Sequence, residues 1–140
     1  MDTLEQLKEF PLFKTVTPDD LEALLKRMKV VRFPANTVLF KKGDPGDAMY
    51  LVMSGKLRIY SQDTAGQEFT LTTYGPGRIF GEFAIFDGSP RSTSAAALEP
   101  LELLALSRGD FLVFLPEHPK VGLAMINHLT ERLRYITTYL

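Results

Sequence analysis

Leu39-Phe40-Lys41-Lys42-Gly43-Asp44-Pro45-Gly46-Asp47-Ala48-Met49-Tyr50-Leu51-Val52-Met53-Ser54-Gly55 holds one short strand between two turns. Gly43-Asp44-Pro45-Gly46 is turn chemistry, because proline presets φ, aspartate bonds its own backbone and glycine supplies conformations closed to other residues. Ser54-Gly55 is the next break. The apolar run Met49-Tyr50-Leu51-Val52 between them reads as a strand. The same alternation recurs from about Val30 to Leu106, with further breaks at Ala65-Gly66 and Gly75-Pro76-Gly77. Evenly spaced short strands predict a closed or rolled β structure. The expected fold class is therefore mainly β with flanking helices. One domain of 140 residues divides into an N-terminal helical segment (1–29), a β roll (30–106) and C-terminal helices (107–140).

The flanking helices carry their own punctuation. Thr17-Pro18-Asp19-Asp20 is a helix start, with Thr17 as N-cap, proline at the first helical position and two acids in the positively polarised first turn. This helix is expected to run to about Met28, with Leu21, Leu24, Leu25 and Met28 on one face. Before it, Phe10-Pro11-Leu12-Phe13 reads as a tight connector whose aromatics cap the core. Ser107-Arg108-Gly109-Asp110 is a second cap signature, and the chain restarts at Pro119. Beyond it Met125, Leu129, Leu133, Ile136 and Leu140 recur at helical steps, an apolar stripe that serves either core packing or a dimer seam. Leu140 brings no glycine, asparagine or proline stop, so the natural polypeptide is expected to continue.

The chemistry concentrates between Gly81 and Thr93. Glu82 to Phe86 suffices for little more than one helical turn at about 3.6 residues per turn, and the first N–H groups of such a turn lack internal partners and sit at its positive end. Gly81 has no side chain to keep a ligand from its backbone, and Asp87-Gly88-Ser89-Pro90 turns the chain back. Arg91 then opens a strand-like run through Leu98. Its guanidinium is a planar fork matched to two phosphate oxygens, and the Ser92 hydroxyl offers another donor. Glu82 repels a phosphate but accepts hydrogen bonds from a sugar hydroxyl. A carboxylate for a sugar and an arginine for a phosphate together describe a nucleotide. An isolated exposed Glu–Arg pair would be a surface salt bridge, so a second segment is needed to decide.

Residues 39–55 supply it. Gly43, Asp44, Gly46, Met49 to Val52 and Gly55, together with Gly81, Glu82, Ala84, Ile85, Arg91 and Ser92, match the two spaced motifs of the cyclic nucleotide-binding domain family, which the chain resembles over nearly its whole length. Two departures stand out. Thr93 replaces the usual alanine, and Phe40 is bulkier than the usual aliphatic residue, with packing as the expected consequence. The resemblance implies a jelly-roll-like β barrel with a phosphate-binding cassette at 81–93. It implies a ligand-binding set of Gly81, Glu82, Phe83, Ala84, Arg91, Ser92 and Thr93: Arg91, Ser92 and the amides around Phe83 and Ala84 on the phosphate, Glu82 with Gly81 on the ribose 2′-hydroxyl. In bacterial regulators of this family the final helix dimerises and offers two polar groups to the base. Those positions fall on Ile136 and Thr137, with Arg132 where a second arginine is found and Tyr135 and Tyr139 as alternative stacking caps. Thr137 and Tyr135 are the candidate base contacts. Ser92 stands where kinase domains preferring cyclic AMP have alanine and those preferring cyclic GMP have threonine. Bacterial activators with serine use cyclic AMP, which is favoured here over cyclic GMP.

The resemblance thus implies a regulatory sensor, not an enzyme, that reports occupancy through its C-terminal helices to an effector, and the missing helix stop at Leu140 leads to the expectation that it is excised or truncated. The alternative is a ligand-free interaction or dimerisation module with a degenerate pocket. Composition fits a globular binding domain, with 45% hydrophobic and 24% charged residues and a net charge of −1, which indicates neither disorder nor a broad nucleic-acid footprint. No cysteine is available for disulfides or thiolate metal sites, and both histidines, His118 and His128, fall in the C-terminal block, away from any barrel metal site or serine nucleophile. His118 is expected at a turn or cap and His128 on a helix surface. No cofactor other than the ligand is expected, no signal peptide or membrane span is present in the sequence given, and the expected location is cytoplasmic.

Overall fold

Each turn in the central region delivers a strand that pairs antiparallel with a neighbour. The computed structural model describes residues 2–138. Their contacts divide into two compact units, a β unit Met28–Phe111 and a terminal unit formed by the chain up to Arg27 and from Leu112 onward. In the β unit, β1 (Lys29–Phe33), β8 (Leu101–Ser107), β3 (Ala48–Ser54) and β6 (Ile79–Phe80) form one sheet in that order. The second sheet runs β2 (Val38–Phe40), β7 (Ser94–Ala97), β4 (Leu57–Gln62) and β5 (Glu68–Tyr74). Phe40, Val52, Leu57, Ile59, Ala95 and Leu103 from both sheets share one buried core. Fully burying each large apolar side chain contributes on the order of 1.5–3 kcal/mol.

The expected barrel does not close. Two open four-stranded sheets share the core, and no strand of one pairs with a strand of the other. β6 has two residues, and β2 has three, with its register broken between Val38 and Phe40. The jelly-roll character survives without closure. Gly55 shows how tightly the β3–β4 turn is drawn: its φ is +87°, and a Cβ there would run into the carbonyl oxygen of Pro100.

In the terminal unit the predicted caps form. Thr17 Oγ1 accepts from the Asp20 N–H at 3.3 Å to start α2 (Pro18–Leu25). Preceding it are α1 (Thr3–Lys8) and a 3₁₀ turn (Pro11–Phe13) that buries Leu12 and Phe13. The second helix stops at Leu25, three residues short of Met28, because the chain must already be extended at Lys29 to enter β1. Ser107 Oγ accepts from the Asp110 N–H at 3.0 Å to open the helix Arg108–Phe114, within which the boundary between units falls. His118 is more than a turn residue: its Nδ1 lies 2.8 Å from Asp20 Oδ1, and its ring stacks on Phe114 at 4.4 Å.

The long C-terminal helix, Pro119–Thr138, splits the predicted stripe. Val121, Ala124 and Met125 are buried and Leu129 is half-buried, whereas every residue from Thr130 to Thr138 is exposed, Leu133 and Ile136 included. The expected core role therefore holds for the first half of this helix only. Tyr139 and Leu140 lie outside the described residues. No described helix is long and apolar enough to cross a membrane.

Candidate functional site

A six-residue helix, α3 (Glu82–Asp87), stands between two glycines in the left-handed region, Gly81 at φ 75° and Gly88 at φ 70°. Both conformations are closed to most side chains, so the glycines set where the helix begins and ends. Space matters as well as conformation at Gly81, where a Cβ would lie 2.7 Å from Arg91 Nη1 and 3.2 Å from the Ala48 carbonyl oxygen. At the other end the Gly88 N–H donates to the Ala84 carbonyl at 2.9 Å. Asp87 Oδ1 accepts from the Ser89 N–H at 2.8 Å, and hydrogen bonds from Ser89 hold the Asp87 carboxyl below its ordinary value of 3.8.

The two segments that read as separate motifs meet around one residue. The β2–β3 loop closes on itself through Asp44, whose Oδ2 accepts from the Lys41 N–H at 2.9 Å. It then grips the backbone of Arg91 from both sides: Gly43 N–H donates to the Arg91 carbonyl, and Arg91 N–H donates to the Asp44 carbonyl, each at 2.8 Å. The Lys42 N–H donates to Ser94 Oγ at 2.9 Å. Gly46 lets the loop lie against α3, since a Cβ on it would sit 2.6 Å from Ala84 Cβ and 2.8 Å from the Ser89 carbonyl oxygen.

So fixed at its backbone, Arg91 turns its side chain inward, leaving only 6% of the residue exposed. Nη1 donates to the Gly81 carbonyl at 3.3 Å, and the buried Nε makes no hydrogen bond. Cζ lies 4.3 Å from the centroid of the Phe40 ring and 5.6 Å from that of Tyr50. None of the ion pairs found among the described residues includes Arg91. Glu82 is buried at 4% exposure in the first turn of α3, Ala84 is buried and Phe83 is exposed. A desolvated guanidinium, a buried carboxylate and the start of a short helix therefore occupy one small region, an arrangement able to hold an anion on one side and a hydroxyl on the other.

Not every expected residue is where the motif reading put it. Arg91 lies in no regular element, Ser92 and Thr93 form a bend, and β7 begins only at Ser94, because the N–H and C=O of Arg91 are taken by the loop rather than by a sheet neighbour. Ser92 is exposed and Thr93 half-buried. Tyr135 and Thr137 belong to the terminal unit, both exposed, and the Thr137 hydroxyl donates to the Leu133 carbonyl at 2.9 Å on its own helix. Ile136 and Arg132 are likewise exposed. Sequence reasoning overlooked the double clamp by Gly43 and Asp44 and the aromatic surface under Arg91. The aromatic residues at 40, 50 and 80 were the available signal, but only the pairing of strands brings them together.

Two open antiparallel sheets with a glycine-bounded helix and a buried arginine define a class of ligand-binding jelly roll. The chain belongs to the cyclic nucleotide-binding domain family, whose model matches residues 30–118. It is similar to the Cyclic AMP receptor protein of Thermus thermophilus, at 40% identity over 128 residues, 91% of this chain and 59% of that protein. Similarity extends to the CRP-like cAMP-activated global transcriptional regulator of Mycobacterium tuberculosis, 33% identical over 130 residues, 93% of this chain and 58% of that protein. The crystal structure of Thermus thermophilus Catabolite Activator Protein superimposes with a TM-score of 0.85 at 39% identity, covering 92% of this chain and 61% of that one. The chain thus spans about three fifths of the length of these relatives.

Proposed function

We propose that this chain is a regulatory sensor domain that binds a cyclic nucleotide, cyclic AMP in preference to cyclic GMP, and catalyses no reaction. One observation carries the reading: Arg91 is buried with its Nε unpaired and belongs to none of the ion pairs found among the described residues. A buried charge without a counter-charge is costly, and a bound phosphate supplies the missing anion. The phosphate engages Arg91, Ser92 and the amides around Phe83 and Ala84, and the ribose 2′-hydroxyl donates to Glu82 with Gly81 close by. Thr93 borders the phosphate. The names of the bacterial relatives support cyclic AMP as the ligand.

Occupancy is reported when ligand binding draws α3 inward. Phe86 on α3 meets Phe111 edge-on at 5.9 Å, so a shift of the first ring is passed to the helix that leaves the β unit. A tenfold preference of the ligand for one state supplies about 1.4 kcal/mol of bias. The exposed Leu133 and Ile136 fit a second copy of the C-terminal helix, with Thr137 and Tyr135 as base contacts and an effector beyond it.

A thermal-shift panel with cyclic AMP, cyclic GMP and linear 5′-AMP tests the binding claim. Ligand at 100 times its dissociation constant stabilises by about 2.7 kcal/mol. Cyclic AMP should raise the melting temperature most and the linear nucleotide least. No shift with either cyclic nucleotide defeats the proposal and leaves the interaction module standing.

A further inference from the structure

The Phe40 ring lies directly under the Arg91 guanidinium, with Cζ 4.3 Å from its centroid. That ring is itself held. Phe40 and Tyr50 stack with centroids 6.4 Å apart, Phe40 and Phe80 are 6.2 Å apart, and Tyr50 and Phe80 stack at 5.1 Å. Phe40 ends β2 in one sheet, while Tyr50 on β3 faces Phe80 on β6 across the other in direct register. The three rings therefore form a braced shelf across the two sheets, and the arginine rests on it.

We propose that Phe40 is a positioning residue for ligand binding: its ring face holds the Arg91 guanidinium in the plane from which its N–H edge meets the phosphate. This rests on the cyclic nucleotide reading of the site. The geometry favours it over simple filling of the core. A guanidinium donates hydrogen bonds in its own plane and stacks through its faces, so stacking on Phe40 leaves the in-plane donors available. The unpaired Nε–H is such a donor. In a desolvated setting the quadrupole of the ring attracts a cation strongly, and with no carboxylate partner among the described ion pairs, the ring is what offsets the charge before ligand arrives. A carboxylate there would have to be displaced by the phosphate. An aromatic face does not compete for the same N–H groups. Phe40 thus sets affinity by cutting the reorganisation needed on binding.

The test varies the electrostatics of the ring at nearly constant size. Phe40 is replaced in turn by 4-fluoro-, 3,5-difluoro- and 3,4,5-trifluorophenylalanine, and cyclic AMP is titrated calorimetrically into each protein, with urea unfolding alongside. Affinity should fall stepwise with fluorine number, by about tenfold across the series, and the unfolding midpoint of the ligand-free protein should fall in the same order, because the ring offsets the buried charge there too. Phe40→Leu should lose at least as much, and Phe40→Tyr should retain most of the wild-type affinity. Equal affinity across the fluorinated series overturns the proposal. A second readout needs no ligand: the Arg91 Nε–H proton should be displaced upfield by the ring in wild type and return toward ordinary values in Phe40→Leu. A wild-type protein that binds no cyclic AMP but shows that displacement refutes the function and keeps the shelf. Absence of the displacement refutes the shelf whatever the protein binds.

Discussion

Replacing Gly46 by alanine adds one methyl group at the place where the two halves of the site touch. The new Cβ would lie 2.6 Å from Ala84 Cβ and 2.8 Å from the Ser89 carbonyl oxygen, closer than carbon approaches either. Neither neighbour is a flexible side-chain tip. Ala84 is carried by the backbone of α3, and the Ser89 oxygen belongs to the turn that leads into Arg91. Gly46 is not among the positive-φ glycines, so alanine incurs no left-handed strain and gains about 0.4–1 kcal/mol by restricting the unfolded chain. Overpacking costs about 1–3 kcal/mol and wins, leaving a net loss on the order of 1–2 kcal/mol, relieved only by pushing α3 away from the loop. Urea unfolding and cyclic AMP calorimetry should therefore both register the change. Gly66→Ala is the control. It has φ +84° and open space around it, in the β4–β5 turn, so it should lower stability through backbone strain and leave affinity untouched. If Gly46→Ala binds cyclic AMP like wild type at undiminished stability, the packing of loop against helix is not what shapes the site.

Asp87 gives a pH-dependent expectation. Its carboxyl titrates below its ordinary value because of hydrogen bonds from Ser89, so the stabilisation it brings is present above pH 3.8 and is lost as pH falls through the lowered folded-state value. Melting curves of wild type and Asp87→Ala should thus differ at neutral pH and converge on acidification; a gap that widens in acid contradicts this. Leu133→Asp places a charge on the exposed second half of the C-terminal helix. Light scattering should show a smaller mass than for wild type, with an unchanged unfolding midpoint, and an unchanged mass removes this helix from the proposed dimer seam.

Features set by neighbouring residues were legible in the sequence. The breaks at Gly43-Asp44-Pro45-Gly46 and Ser54-Gly55 bound β3, and Thr17, Ser107 and Pro119 mark helix starts, because each acts on backbone within a few residues of itself. Gly81, Glu82 and Arg91 read as a nucleotide pattern from spacing within one stretch of chain, and Glu82 and Arg91 are each buried in the β unit. What depended on partners distant in sequence was harder. Whether two sheets close depends on pairing between edge strands far apart in sequence, which no local break encodes. Arg91 reads as the first residue of a strand until Gly43 and Asp44, nearly fifty positions earlier, take its backbone. The stripe from Met125 to Ile136 has one period throughout, yet only its first part has a buried side. Phe40 looked like a matter of packing because its neighbours Tyr50, Phe80 and Arg91 come from three other segments.

The most direct test of the account is calorimetric titration of cyclic AMP into wild type and Arg91→Ala, with urea unfolding of both proteins in the absence of ligand. Loss of the guanidinium should cost about 2–5 kcal/mol of binding, roughly thirtyfold to a few thousandfold in affinity. Stability without ligand should change far less than affinity, because the relief of a buried charge outside every described ion pair is set against the loss of its contacts with Phe40 and the Gly81 carbonyl. Unchanged affinity in Arg91→Ala contradicts the assignment of this arginine to the phosphate, and with it the sensor function.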